Sequence, residues 1–187
     1  MSILRRCVPA ALATLLALPL APAAADSEDY TKGELSADLI TATLPLATFA
    51  IAHYKDDGDG EGEFLRSNAA SLILNTTLRV AFNETSWGER PNGNRYAFPS
   101  GHAAFVAAQA AFLQERFGWK YGLPAYALVG YVSYVRVDTD HHHWRDVLAG
   151  VALSMFTAKL FVTPHDAVHI APIVGPEWIG LRLERSF

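Results

Sequence analysis

The segment Arg90-Pro91-Asn92-Gly93-Asn94-Arg95-Tyr96-Ala97-Phe98-Pro99-Ser100-Gly101-His102 runs directly into an alanine-rich stretch, Ala103-Ala104-Phe105-Val106-Ala107-Ala108. Pro99 cannot continue a helix from the preceding residues and disfavours the α region at Phe98. Ser100 is a favourable N-cap, and the residues from Ala103 onward are strong helix formers. A helix therefore starts at the serine. The free amides of Gly101, His102 and Ala103 then lie at a positive helix end, where an anion is favoured. Gly101 places no side chain between the backbone and such an ion. Taken alone, the segment reads better as a Pro-Ser-Gly turn that opens a helix beside a stray histidine; the rest of the chain changes the balance.

Outward from this point the pattern is helical. Residues 103–117 form one helix, with Phe105, Phe112 and Leu113 supplying bulk and the alanines a smooth face; Gly118 ends it. Upstream, 35–54 and 64–83 carry apolar residues at helical spacing, among them Leu65, Ala69, Leu72, Ile73 and Val80. Downstream, Pro124 opens a helix to about 137, and Asp140 is placed to cap another over 141–162, stopped by Pro164. The apolar part of the first helix, 39–52, falls short of the ~20 residues that a membrane span requires. Residues 55–63 are expected to be a solvated acidic loop. A calcium-loop pattern starts there but fails at its closing position, Asn68. In the tail, Ile179, Leu181 and Leu183 alternate with polar residues and Gly180 as in a short strand, with 168–174 as a possible partner.

The expected fold is all-α: a compact bundle of about five to six helices with a short C-terminal β-hairpin or extended tail. The 187 residues suit one domain, and 51% hydrophobic residues suffice for a large core. A net charge of −4 supplies no basic face for nucleic acid. Residues 1–25 have the pattern of a secretory signal: Arg5 and Arg6, an apolar run to Leu20, then small-residue cleavage sites ending near Ala25. The expected mature domain is 26–187, with its core over 35–162 and its tail over 164–187. Cleavage would remove Cys7, the only cysteine, and point to a bacterial periplasm.

A second cluster, Arg136-Val137-Asp138-Thr139-Asp140-His141-His142-His143-Trp144-Arg145-Asp146, lies at the junction of the last two helices. His142 and Asp146 are four apart, the spacing of neighbours on one helix face, so the carboxylate could orient the imidazole. Arg136 precedes the same corner. Three histidines in a row suggest a metal, but adjacent helical residues diverge too far to converge on one ion, and no further ligand cluster supports one. No metal and no cofactor are expected.

Arg90-Pro91, Pro99-Ser100-Gly101-His102, and Arg136 followed after five residues by His142 and after three more by Asp146 resemble, in order and spacing, the three motifs of the type-2 phosphatidic acid phosphatase and vanadium haloperoxidase superfamily. Val135 stands where the family has serine. The family lysine, counted back from Arg90, falls on Asn83; with four extra loop residues it falls on Arg79 instead. The resemblance implies that Arg79, Arg90 and Arg136 hold a phosphoryl group, with Ser100, Gly101 and the amide of His102 completing the cradle. It implies that His142 attacks phosphorus, Asp146 orients it, and His102 protonates the leaving oxygen. The implied activity is metal-independent hydrolysis of a phosphomonoester, a lipid phosphate at a periplasmic membrane surface. The alternatives are a soluble broad-specificity acid phosphatase, a vanadate-dependent haloperoxidase, and a phosphate-binding protein without turnover.

Overall fold

The computed structural model describes residues 31–165 and the backbone of two strands, Val168–Val174 and Ile179–Arg185. The expected signal segment lies outside the described residues. Five helices follow in order: α1 (Lys32–Tyr54), α2 (Gly58–Phe82), α3 (Gly101–Phe117), α4 (Trp119–Asp138) and α5 (Trp144–Phe161). The strands pair antiparallel as β1 and β2.

The bundle is arranged around α3, which packs against each of the other four helices. Its alanines explain this position: Ala103, Ala107, Ala110 and Ala111 are fully or almost fully buried, and small side chains let neighbouring backbones approach on every side. Phe64 of α2 and Phe112 of α3 meet edge to face in the core, with centroids 5.3 Å apart. Gly150 lets α5 touch the start of α3, because a Cβ there would lie 2.6 Å from the Ser100 carbonyl oxygen. Gly118, at φ 82°, takes the left-handed conformation that turns α3 directly into α4.

Several boundaries differ from the sequence expectation. The capping box of Thr31 and Glu34 starts α1 earlier. At 23 residues, α1 is long and apolar enough to cross a membrane by length and composition, which the shorter reading of 39–52 had denied. The acidic segment is not a solvated loop. Asp57 caps α2 by accepting from the Gly60 amide at 2.9 Å, and Gly58 onward is helical. Arg116 of α3 explains the difference, since its guanidinium pairs with buried Asp57 and also donates to Glu63 at 3.3 Å. The buried carboxylates are thus answered by a cation far away in sequence. Helix α4 starts at Trp119 and carries Pro124 in its interior. Helix α5 starts at Trp144 with His143 as its N-cap, so Asp140 is not the cap; at φ 55° it forms the turn instead.

Candidate active site

The first turn of α3 is built as its sequence suggests. Ser100 is fully buried and its hydroxyl accepts from the Ala103 amide at 3.5 Å, while Gly101 and His102 face a cavity of about 920 Å³. Ser100 itself does not line that cavity. Its backbone amide donates to the Asp146 carbonyl at 2.9 Å, tying the start of α3 to the start of α5. Gly101 leaves room for a guanidinium: a Cβ there would stand 3.1 Å from Arg79 Nη1.

The loop between α2 and α3 is closed by Asn83. Its Oδ1 accepts from the Tyr96 amide at 3.0 Å, and its carbonyl accepts from Arg95 at 3.3 Å. Phe82, Trp87 and Phe98 cluster at the same loop, Trp87 and Phe98 meeting edge to face with centroids 4.8 Å apart. Asn83 therefore organises the loop and does not line the cavity, whereas Arg79, one helical turn earlier, does. Arg79 is steadied by an Nη2 hydrogen bond to the Tyr96 carbonyl at 3.0 Å. Arg90 enters from the far side of the loop, whose Asn92 amide rests on the Asp140 carbonyl at 3.2 Å.

The third group comes from the end of α4. The Arg136 carbonyl accepts from the amides of both His141 and His142, at 3.1 and 3.0 Å, so the turn after α4 fixes Arg136 and His142 together. His142 lies before α5, not on it, which corrects the expectation of a shared helix face. Its Nδ1 donates to the Ala97 carbonyl at 2.8 Å. Asp146 Oδ2 is farther from that nitrogen, at 3.8 Å. The carboxylate is engaged elsewhere, accepting from the His143 amide at 2.8 Å as part of the helix cap. The carbonyl partner nevertheless settles the tautomer: Nδ1 carries the hydrogen, and Nε2 keeps its lone pair.

Arg79, Arg90, Gly101, His102, Arg136, His141 and His142 all line the one cavity. Neighbouring guanidinium groups raise the cost of charge on Arg79 and Arg90. Burial, reinforced by Arg79 and Arg136, brings Arg90 down to about 10; burial and Arg136 also lower Arg79. All remain cationic at neutral pH. The Nε atoms of Arg79 and Arg90 are buried without a hydrogen-bond partner among the described residues, which suits a site made for an anion. Burial pushes His142 down to about 4, with Arg90 and Arg136 adding to the effect and Asp146 opposing it. Each of the three neighbouring histidines has its Nδ1 engaged by a different partner. His141 Nδ1 turns to the Thr139 carbonyl at 2.9 Å, His142 to Ala97, and His143 to the cap of α5.

Two features were not singled out in the sequence. Asn75, a turn before Arg79, lines the cavity beside Gly101. Asp38 of α1 places Oδ1 3.1 Å from His102 Nε2. Neither belongs to a motif, and nothing local in the sequence links Asp38 to His102. Away from the arginines, Leu72, Ile73 and Val80 of α2 with Phe105 and Ala108 of α3 give the cavity an apolar wall, interspersed with Asn68, Ser71, Thr76 and Thr77.

Comparison with known proteins gives a consistent assignment. A family model described as the PAP2 superfamily matches residues 59–168. A lipid A 1-phosphatase of Helicobacter pylori (strain ATCC 700392 / 26695) is 34% identical over 113 residues, covering 57% of this chain and 60% of that relative. A phospholipid phosphatase 2 of Bos taurus is 36% identical over 83 residues, covering 37% of this chain and 28% of that protein. A lipid A 4'-phosphatase of Helicobacter pylori (strain J99 / ATCC 700824) is 27% identical over 128 residues, covering 64% and 65%. The aligned part thus spans less than two thirds of each of these relatives. No solved structure matches the chain significantly.

Proposed function

Because the chain belongs to the PAP2 superfamily, we propose that it hydrolyses phosphomonoesters without a metal ion, through a phosphohistidine, and that its substrate is a lipid phosphate at the periplasmic surface of a membrane. The observation that carries the reading is the cavity in which three guanidinium groups meet an imidazole whose Nε2 holds a free lone pair.

In this mechanism Arg79, Arg90 and Arg136 bind the non-bridging oxygens and neutralise charge as it develops. The Gly101 and His102 amides at the positive end of α3 add to the cradle. His142 Nε2 forms a bond to phosphorus as the ester P–O bond breaks, and His102 gives its proton to the departing oxygen. Neutral His102 then takes a proton from water, whose oxygen attacks phosphorus. The P–N bond breaks, phosphate leaves, and both histidines return to their starting states. Ser100 acts from beneath as the cap of α3, and Asp146 through the cap of α5 and its field on His142.

The lipid half of the proposal rests on different features. The apolar wall of the cavity offers space well beyond a phosphate. Leu35, Leu39 and Leu46 are exposed along α1. Relatives named for lipid A and for phospholipids support the same substrate class.

The test is phosphate release from a panel of lipid and soluble phosphomonoesters with chelator present, together with trapping of phosphorylated His142. Release from lipid phosphates with label on His142 is expected. Hydrolysis of soluble esters alone, by protein freed without detergent, would favour a soluble acid phosphatase; no label on an active enzyme would overturn the phosphohistidine.

A further inference from the structure

Helix α1 precedes the segment that the family model matches, yet it reaches the site. Glu34, Asp38 and Thr41 recur at helical spacing and form one face. Glu34 Oε1 stands 3.5 Å from His141 Nδ1, and Thr41 lines the cavity. Between them, Asp38 Oδ1 stands 3.1 Å from His102 Nε2 and 3.9 Å from Arg136 Nη1. We propose that Asp38 is a positioning residue for His102: its carboxylate holds Nε2, keeps the imidazole charged among the arginines, and leaves Nδ1 to exchange the proton with substrate.

The proposal rests on the phosphatase reading for its purpose, though not for its geometry. A histidine that protonates a leaving oxygen has to carry that proton at the start of the reaction. His102 is badly placed to do so unaided. Burial lowers its affinity for a proton, and Arg136 from α4 and Arg79 from α2 lower it further, while Asp38 from α1 opposes all three. Arg90, His141 and His142 face it across the cavity. Among these neighbours only Asp38 brings negative charge to the ring. Because Asp38 faces Nε2, Nδ1 is the nitrogen left for substrate.

The experiment compares wild type with Asp38→Asn and Asp38→Glu on two esters. An alkyl phosphate needs its leaving oxygen protonated; p-nitrophenyl phosphate, with a good leaving group, needs this far less. Asp38→Asn is expected to lose tenfold or more in kcat/KM on the alkyl ester and little on the aryl ester. The alkaline limb of its pH profile should move down by about one unit, the scale of a carboxylate–cation pair. Asp38→Glu should recover part of both. In parallel, NMR titration of the His102 ring should give a lower midpoint in Asp38→Asn, whether or not the protein hydrolyses anything. Equal losses on both esters with an unmoved limb would overturn the proposal. So would an unmoved His102 midpoint in a variant that circular dichroism shows to be folded. If wild type hydrolyses neither ester, the phosphatase reading fails, and the titration alone decides the pairing.

Discussion

His142 gives its Nδ1 hydrogen to the Ala97 carbonyl at 2.8 Å, while the nearest Asp146 oxygen stands 3.8 Å from the same nitrogen. The imidazole is thus oriented by backbone, which a side-chain substitution does not remove. Asp146 acts through the α5 cap and through the Ser100 amide that rests on its carbonyl. Asp146→Asn keeps an oxygen for the cap and should leave Nδ1 protonated. It is expected to lose activity without abolishing it and still to form phosphohistidine, whereas His142→Ala should do neither. Single-turnover phosphate release and label trapping separate the two; an Asp146→Asn variant that is folded and as inactive as His142→Ala would show that the carboxylate itself governs the ring.

Arg79 and Asn83 compete in the sequence for one role, and the structure gives them different surroundings. Arg79 faces the cavity; Asn83 ties the loop at Tyr96. Asn83→Ala leaves a loop amide without its acceptor and should cost about 1–3 kcal/mol, the penalty of an unpaired polar group. Its melting temperature should fall, with kcat changed little in the protein that remains folded. Arg79→Ala removes a cation from among three that repel one another, so its melting temperature should hold or rise while kcat/KM falls. Thermal melts beside steady-state kinetics check both; the opposite pattern would place the missing lysine at Asn83.

What could be read from the sequence followed from how local each signal was. The Pro99–Ser100 helix start, the alanine face of α3 and the Arg136–His142–Asp146 spacing are each contained within a dozen residues, and all of them appear in the structure. The segment 55–63 misled because its glycines are poor helix formers. What makes it helical is Arg116, which no local pattern connects to Asp57. The position of His142 outside α5 was likewise hidden. An i,i+4 pair reads as one helix face until a positive-φ residue, here Asp140, breaks the chain before it. Asp38 was invisible for the same reason as Arg116: its partner, His102, is remote in sequence.

Acidity should affect rate and stability in a defined order. Burial takes His142 from 6.5 down to about 4 and lowers His102 as well. Attack needs His142 neutral, and leaving-group protonation needs His102 charged. The kcat/KM profile should therefore rise through an acid limb near pH 4 and fall on its alkaline side before 6.5. Stability follows from the sign of the shift. The unfolded chain takes up a proton below about 6.5 that folded His142 refuses, so its contribution is whole above that pH and is lost as pH falls toward 4. The linked loss is roughly 3 kcal/mol. Urea melts from pH 7 to 4 should show it, and His142→Gln should flatten the slope. An acid limb near the ordinary histidine value would mean that the ring is far better hydrated than its burial implies.

Gly150 tests whether the contact between α5 and α3 sets the site. A methyl group there would press on backbone, 2.6 Å from the Ser100 oxygen and 3.2 Å from the Ala104 nitrogen, so no side chain can swing aside. Gly150→Ala must move α5 away from the first turn of α3. Overpacking of this kind costs about 1–3 kcal/mol. The same movement pulls Asp146 and the His142 turn from Gly101 and His102, so kcat should fall even where the protein stays folded. Gly130, on α4, is the control: nothing lies within 4 Å of its Cβ position. Replacing a helical glycine with alanine should there stabilise by roughly 0.5–1 kcal/mol and leave kcat untouched. If Gly150→Ala were as stable and as active as Gly130→Ala, the two segments would not depend on this contact for their alignment, and the geometry around Ser100 would have to be held by the backbone bond to Asp146 alone.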